Sequence, residues 1–307
     1  MILNKKMMKF NFFVILAFAL ALSSCDKNVR YTTNGIKVQN LKLVKAYEVE
    51  TLGKFDPSGL TYWDGQFYTV SDKDNFIFKL KFEDNKVRLI PFLEIENDKP
   101  GKLDFEGITH DDEYFYLISE LHFQILKISK DGKTQQWIPD DESLKIAGKE
   151  SGLFTTHNAY IEGICLLEEQ KFLLAAERQP RGFVEFDLPN NEITAYQQND
   201  AVFEYHLNRS TDFSGLSCNI DKVFVLDRNA ETIAQLERQN GQFVETSGFS
   251  YSEVINRPEF SYLDKEFGLA EGLYVSEDRF YILLDNNRIG MTKDPENNNS
   301  LFLELKK

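Results

Sequence analysis

Short apolar runs separated by polar turn residues fill most of this 307-residue chain. β-branched and aromatic residues dominate these runs, which is typical of strands. The first repeat contains four such runs, at 60–63, 67–71, 76–80 and 87–90. The next repeat follows its motif strand with runs at 114–119, 123–129 and 134–138. The pattern therefore predicts an all-β fold of repeated four-stranded units.

One motif opens every repeat. It consists of Ser or Glu, then Gly, then Leu or Ile, with an acidic residue 12 to 14 positions after the Gly. The glycines lie at 59, 107, 163, 215 and 272, so the successive spacings are 48, 56, 52 and 57 residues. A period of this length with four strands per repeat predicts the blades of a β-propeller.

The last repeat lacks one strand. After its motif only the run 300–305 remains before the chain ends, and the unassigned strand Leu41–Glu50 lies just before the first motif. We expect this N-terminal strand to complete the last blade and close a single five-bladed propeller, which leaves few exposed edges. Six blades are the alternative, and would need a hidden repeat within 139–157 or 248–268, where 252–256 could form a helical turn.

The N-terminus carries an export signal. Lys5, Lys6 and Lys9 precede an apolar run at 10–22, too short to span a bilayer. The following Leu22-Ser23-Ser24-Cys25 resembles a bacterial lipobox, and a plain signal peptide is the alternative. We predict a lipoprotein signal peptide at 1–24, a tether at 25–40 and the propeller at 41–307. Lipidation of Cys25 would make an exported, membrane-anchored protein, with the choice of inner or outer membrane open.

The net charge limits the class of binding partner, and the cysteine positions bear on disulfide formation. The formal net charge is −14, and loss of the three signal-peptide lysines gives 32 − 49 = −17. Such a surface repels nucleic acid and suits cations; we expect a monomer with a small-molecule or protein ligand.

Cys165 and Cys218 lie two and three residues after their motif glycines. This offset predicts opposite strand faces, and therefore buried thiols rather than a disulfide.

The motif acids are expected to gather at one channel mouth. If the first two strands of each blade form a hairpin, the residue before each Gly lies opposite the terminal acid, and the first strands line the channel. Like charges held together require a compensating cation, and a set of oxygen ligands favours Ca²⁺. The predicted metal ligands are Asp72, Glu106, Glu120, Glu162, Glu177, Asp227, Glu271 and Asp285. In the alternative, Arg178 and Arg228 pair with these acids and join neighbouring blades.

These motifs resemble a known group. The runs SGLTYW, FEGITH, IEGICL, FSGLSC and AEGLYV, with the partners ISE, AAER and VLDR, are similar to the SdiA-regulated family and the related family called esterase-like activity of phytase. The resemblance covers 41–307 and implies a secreted or anchored β-propeller with metal or phosphoester chemistry. In that chemistry rim carboxylates hold Ca²⁺, which binds phosphate and activates water.

Two departures limit that comparison. Ser58 and Ser214 replace Glu before the motif Gly, and the negative charge disfavours a polyanionic substrate. Two interpretations follow from the acidic mouth: a Ca²⁺-dependent ligand-binding surface, or a Ca²⁺-dependent phosphoester hydrolase. A metal-free scaffold is a third. The catalytic candidates are Glu106, Glu162 and Glu271; the ligand-binding candidates are Arg178 and Arg228, with Arg181, Arg209 and Lys73 as further phosphate clamps.

Overall fold

Three strands precede the first motif in the computed structural model, which describes residues 29–307 except 33, 51–54, 169, 199–201, 205–208, 220 and 264–265. They are β1 (Val29–Tyr31), β2 (Lys37–Asn40) and β3 (Lys42–Glu50). The signal peptide predicted at 1–24 and the lipidation site predicted at Cys25 lie outside the described residues.

Five antiparallel units follow, each opened by one copy of the motif. Unit 1 contains β4 (Pro57–Trp63), β5 (Gln66–Ser71), β6 (Phe76–Glu83) and β7 (Lys86–Glu94). Unit 2 contains β8 (Phe105–His110), β9 (Tyr114–Ser119), β10 (Gln124–Ser129) and β11 (Gln135–Ile138). Helix α1 (Ser143–Glu150) follows it.

The remaining units repeat the order. Unit 3 contains β12 (Ile161–Leu166), β13 (Lys171–Ala176), β14 (Gly182–Asp187) and β15 (Glu192–Gln197). Unit 4 contains β16 (Phe213–Asn219), β17 (Lys222–Asp227), β18 (Thr232–Gln239) and β19 (Gln242–Ser250). After helix α2 (Ser252–Ile255), unit 5 contains β20 (Ala270–Val275), β21 (Arg279–Leu284) and β22 (Ser300–Lys306). The all-β prediction is confirmed.

The N-terminal strand pairs where the sequence places it. Strand β3 runs antiparallel to β22, with Val49 opposite Ser300 and Lys42 opposite Lys306, so it supplies the fourth strand of unit 5. The same strand also pairs in parallel with β7 of unit 1. A sixth repeat would have to lie within 139–157 or 248–268. In the described part of these two gaps the regular elements are helices α1 and α2 and the last residues of β19. Helix α2 matches the predicted helical turn.

The folded region begins earlier than the sequence suggests. Strands β1 and β2 lie within the stretch expected to be a tether, and β2 pairs in parallel with β19 at the outer edge of unit 4. Val38 explains this placement, since its side chain is buried against the core shared by units 3 and 4. Isolated apolar residues such as Ile36 and Val38, which pack against the same core, are a weak signal in a polar stretch of sequence.

The opening strands of the units lie against one another. Contacts run from β4 to β8, β12, β16 and β20 in turn, and β20 contacts β4. A Cβ atom added to Gly59 would lie 2.7 Å from the Cα of Gly107, and one added to Gly215 would lie 2.6 Å from the carbonyl oxygen of Glu271. The motif glycines therefore permit close strand packing, as the sequence predicts.

Aromatic and aliphatic side chains fill the spaces between units. Phe183 of unit 3 stacks on Phe213 of unit 4 with ring centroids 5.0 Å apart, and both rings are fully buried. Aromatic rings of this size each bury a large apolar area. The units therefore pack face to face, with their motif strands on the inside.

Cys165 and Cys218 form a disulfide, so the prediction of free thiols is wrong. They lie on β12 and β16, the opening strands of neighbouring units, with their Cα atoms 5.6 Å apart. When two sheets pack face to face, one sheet presents the face opposite to the one its neighbour presents. Opposite strand faces therefore bring these residues together, and the face argument holds only within a single sheet.

The bond is consistent with an extracytoplasmic protein, because such environments preserve disulfides. Among the described residues, no helix combines the length and apolar character needed to cross a bilayer.

Candidate functional site

A β-bulge precedes the motif glycine in units 2 to 5. The register between the first two strands shifts at this point, between Phe105 and Gly107 in unit 2 and between Ile161 and Gly163 in unit 3. Units 4 and 5 show corresponding shifts, whereas in unit 1 the shift spans the glycine itself. A bulge places two residues opposite one and turns the extra side chain out of the regular alternation. The extra residues are Glu106, Glu162, Ser214 and Glu271 in units 2 to 5.

The prediction that Glu106 lies directly opposite Glu120 is wrong, because the bulge shifts the register of the two strands. The backbone N–H of Glu120 donates instead to the carbonyl of Asp104, at 3.0 Å, and the N–H of Glu177 donates to the carbonyl of Tyr160, at 2.8 Å. Counting outward from the turn assumes one residue opposite one, and the bulge breaks that count. The acids nevertheless occupy the same end of their hairpins.

The first acidic cluster contains Asp72, Asp104 and Glu106, whose carboxylate oxygens lie within 4.8 Å of one another. Lys73 pairs with Asp72 and Lys102 with Asp104, with a distance of 2.5 Å between Lys102 Nζ and Asp104 Oδ1. One buried oxygen, Oδ1 of Asp72, accepts no hydrogen bond from the described residues. This cluster joins the opening hairpins of units 1 and 2.

The second acidic cluster contains Glu120, Glu162 and Glu177, again with carboxylate oxygens within 4.8 Å of one another. The Tyr160 N–H donates to Oε1 of Glu120 at 2.7 Å. Glu177 is 1% exposed, and its Oε2 atom has no hydrogen-bond partner among the described residues. Glu162 is 9% exposed, and its carboxylate has neither a hydrogen bond nor an ion pair within the described chain.

Burial and mutual repulsion disturb the titration of these acids. Burial, followed by the charges of Asp72 and Glu120, raises the pKa of Glu106 well above its ordinary value. Burial and then the charge of Glu106 do the same to the pKa of Glu162. Burial also raises the pKa of Glu271 to about 8, although the Arg228 guanidinium acts in the opposite direction. A cation placed among these groups would restore their charged forms.

Two arginines lie beside the second cluster. Arg228 forms ion pairs with Glu177, with Glu271 and, at 3.0 Å from its Nε atom, with Asp212. Arg178 contacts Glu177 and Asp212, the latter at 3.4 Å. Arg228 thereby ties units 3, 4 and 5 together, which is the structural role that the sequence offers as an alternative for it. Within the described part of the chain, the ion-pair partners of the first cluster are lysines and include no arginine.

The match to a family model decides the classification. The model of the Phytase-like family, described as esterase-like activity of phytase, matches residues 51–302. This chain belongs to the phytase-like family. A search of curated proteins finds no match to it.

Solved structures similar to this phytase-like chain are also β-propeller proteins. The glutaminyl cyclase of Myxococcus xanthus is 12% identical with a TM-score of 0.56, over 88% of this chain and 97% of that one. A putative gluconolactonase is 10% identical with a TM-score of 0.48, over 87% and 97% of the two chains. The aldose sugar dehydrogenase of Streptomyces coelicolor is 12% identical with a TM-score of 0.47, over 87% and 97%. At 12% identity the likeness to the glutaminyl cyclase concerns the fold alone.

Three predicted metal ligands of the phytase-like chain lie outside both clusters. Asp227 is fully buried, accepts from Arg181 Nη1 at 2.9 Å and from the Ala230 N–H at 3.1 Å. Asp285 accepts from the Asn287 N–H at 2.8 Å, and burial raises its pKa to about 6. Glu271 pairs with Arg228. These contacts give each of the three carboxylates a partner, although Oε2 of Glu271 has no hydrogen-bond partner among the described residues.

Sequence reasoning missed two acids, Asp104 and Asp212. Each lies three residues before its motif Gly, as Asp56 also does, so a longer motif would have included them. Asp104 enters the first cluster, and Asp212 accepts contacts from both arginines. In unit 2 the bulge and a one-residue difference in the turn register together place Asp104 opposite Glu120. In unit 4 the Arg228 N–H donates to the Asp212 carbonyl, at 3.1 Å.

The donor set of the clusters fits a hard divalent cation. Both clusters offer only carboxylate oxygens, and each contains a buried oxygen without a hydrogen-bond partner in the described chain, Asp72 Oδ1 or Glu177 Oε2. Oxygen-only ligands suit Ca²⁺, whereas Zn²⁺ prefers His and Cys.

Proposed function

We propose that this chain is a five-bladed propeller, anchored through lipidated Cys25, whose acidic channel mouth binds Ca²⁺ and uses it to hold a ligand. The cyclic contacts of the five opening strands and the pairing of β3 with β22 support the blade number and the closure. The membrane anchor rests on the lipobox-like Leu22-Ser23-Ser24-Cys25.

The main support for the metal site is the environment of Glu162. Glu162 is 9% exposed and has no hydrogen bond or ion pair from the described residues, so its charge is costly unless the carboxylate is protonated, reaches water or receives a ligand. Glu120 and Glu177 place further oxygens within 4.8 Å of it. A divalent cation at this point would satisfy Glu162 and offset its repulsion from Glu106.

Calcium is the proposed ion because its loose coordination accepts six to eight oxygens at variable angles. Three protein carboxylates per cluster leave further coordination positions for water or for oxygen atoms of a ligand. In this way the clusters would couple ion binding to ligand binding without any change in the fold.

Phosphoester or ester hydrolysis at the same mouth is the second candidate. Membership of the phytase-like family favours it, since metal dependence is expected of that family. A bound ion would supply Lewis acidity and a more acidic water. Glu106 and Glu162 are the side chains placed to accept a proton there, and Arg178 is placed to hold an anionic group.

Thermal and urea unfolding with Ca²⁺ or EDTA tests the metal site. Calcium at one hundred times its dissociation constant is expected to raise the free energy of unfolding by about 2.7 kcal/mol over the EDTA sample. Glu162→Gln should remove most of this gain, because it replaces a charged ligand with a neutral amide. Glu192→Gln, at an exposed position of β15, is the matched control and should keep the full gain.

An equal stability in Ca²⁺ and EDTA would overturn the metal proposal, as would a gain that survives unchanged in both Glu106→Gln and Glu162→Gln, one variant for each cluster. The same variants separate the two candidate functions. If hydrolysis takes place here, turnover of p-nitrophenyl phosphate or p-nitrophenyl acetate should require Ca²⁺ and disappear in Glu106→Gln and Glu162→Gln. Calcium binding without turnover supports the ligand-binding function.

A further inference from the structure

A cavity of about 300 Å³ opens beside the second acidic cluster. Its lining includes the charged residues Arg178, Arg228, Glu266 and Glu271 and the apolar residues Phe267, Leu269 and Ile289. Ligand pockets begin at about this volume and use a few polar groups to fix the orientation of a ligand. A small ligand with one charged end and one apolar end matches such a wall.

Arg178 provides the charged end of the cavity. Its ion pairs within the described chain, to Glu177 and Asp212, both use Nη1. The Nε and Nη2 donors therefore have no acceptor among the described residues, and they are not enclosed by protein. Arg228 differs, because Nε, Nη1 and Nη2 each contact a carboxylate. A planar guanidinium with two adjacent free donors suits a two-oxygen acceptor such as carboxylate or phosphate.

Phe267 provides the apolar end. Its ring is 37% exposed, which is high for an aromatic side chain, and its centroid lies 5.1 Å from the guanidinium carbon of Arg178. Leu269 is buried and Ile289 is half-buried at the same wall. An apolar group on the ligand would cover the exposed ring next to the charged head.

The wall is fixed in place by its backbone. The Gly268 N–H donates to Oδ1 of Asn229 at 2.9 Å, and Asn229 is fully buried. A Cβ atom on Gly268 would lie 1.9 Å from the Arg228 carbonyl oxygen, so the chain passes directly against that strand end. Phe267 is thus held beside the arginines before any ligand arrives, which lowers the entropy lost on binding.

We propose that this cavity binds a small oxyanion, a carboxylate or phosphate, that carries a short apolar group: Arg178 holds the oxyanion, and Phe267, Leu269 and Ile289 hold the apolar group. This inference rests on the proposed ligand-binding function of the channel mouth. A cation at Glu177 would offset the acidic charge around Arg178 and favour the anion.

Calorimetric titration of the protein with acetate, butanoate and hexanoate, in saturating Ca²⁺, tests the inference. Each methylene that enters the cavity should tighten binding by about fourfold until the wall is covered. Phe267→Ala should abolish this gain with chain length and leave acetate binding unchanged. Arg178→Gln should weaken every member by about tenfold or more, whereas Arg178→Lys should recover part of the loss as a point charge.

Butyl phosphate, titrated beside hexanoate, identifies which oxyanion the site prefers. Affinity that does not depend on chain length, or a gain that persists in Phe267→Ala, would overturn the inference. A parallel Ca²⁺ titration of Phe267→Ala keeps the two proposals separable. Normal Ca²⁺ binding with no oxyanion binding would reject the cavity alone, and oxyanion binding without any Ca²⁺ binding would reject the metal site.

Discussion

Replacing Arg181 with methionine is expected to lower the free energy of unfolding by about 3–5 kcal/mol, because it leaves buried carboxylates without a counter-charge. Arg181 is fully buried, and its Nη1 donates to Asp227 at 2.9 Å while its Nη2 donates to Glu245 at 2.8 Å. Its Nε donates to the carbonyl of Gln198 at 3.0 Å, and the guanidinium lies over Phe213. Methionine keeps most of the volume and removes every donor.

Arg238→Met is the matched control. Arg238 also pairs with a carboxylate, Glu185, and also lies over an aromatic ring, but its side chain is 47% exposed. An exposed pair of this kind contributes about 0–1 kcal/mol. Urea unfolding at neutral pH compares the two variants through their midpoints at constant slope. A loss below 1 kcal/mol for Arg181→Met, equal to that of the control, would show that the buried network does not hold units 3 and 4 together.

Reduction of the Cys165–Cys218 disulfide is expected to cost about 4 kcal/mol, from the loop entropy of a 53-residue separation. The bond joins the opening strands of units 3 and 4, so in the oxidised protein it limits how far the unfolded chain can separate them. Urea unfolding with and without a phosphine reductant measures the difference.

The double variant Cys165→Ala, Cys218→Ala supplies the control for that measurement. It should match the reduced protein in stability and should not respond to reductant. A wild-type protein whose stability is the same with and without reductant, with two titratable thiols, would show that the disulfide does not form.

The repeat pattern in the sequence predicted most of the strand arrangement. Spaced glycines and short β-branched runs located the motif strands, and the incomplete last repeat placed β3 beside β22. These predictions succeed because strand alternation and turn residues are local properties. The pairing of β2 with β19 could not be predicted in the same way, because it depends on Val38 packing against a core built from strands far away in the sequence.

The grouping of the motif acids was predictable in part. Motif counting brought eight acids together, and five of them lie in the two clusters: Asp72, Glu106, Glu120, Glu162 and Glu177. It could not separate these from Asp227, which has the same motif position but meets Arg181, a residue that no motif marks. The disulfide was missed for a related reason: the faces that meet belong to different sheets.

The two acidic clusters differ in how far basic side chains balance their charge. The second cluster shares Glu177 with two arginines, so part of its charge is already balanced within the protein. Among the described residues, the first cluster has ion pairs to the exposed Lys73 and Lys102 alone, and water and salt screen such pairs readily. A cation would therefore relieve more repulsion at Asp72, Asp104 and Glu106, and a ligand would meet more positive charge at the second cluster.

The most direct test of the central claim is a crystal structure of the protein grown in Ca²⁺, with anomalous differences recorded at long wavelength. The account predicts an anomalous peak at one or both clusters, with carboxylate oxygens about 2.3–2.6 Å from the ion. Replacement of Ca²⁺ by EDTA should remove the peak. A map with no anomalous density at either cluster, and with these carboxylates held only by lysine, arginine and water, would contradict the account.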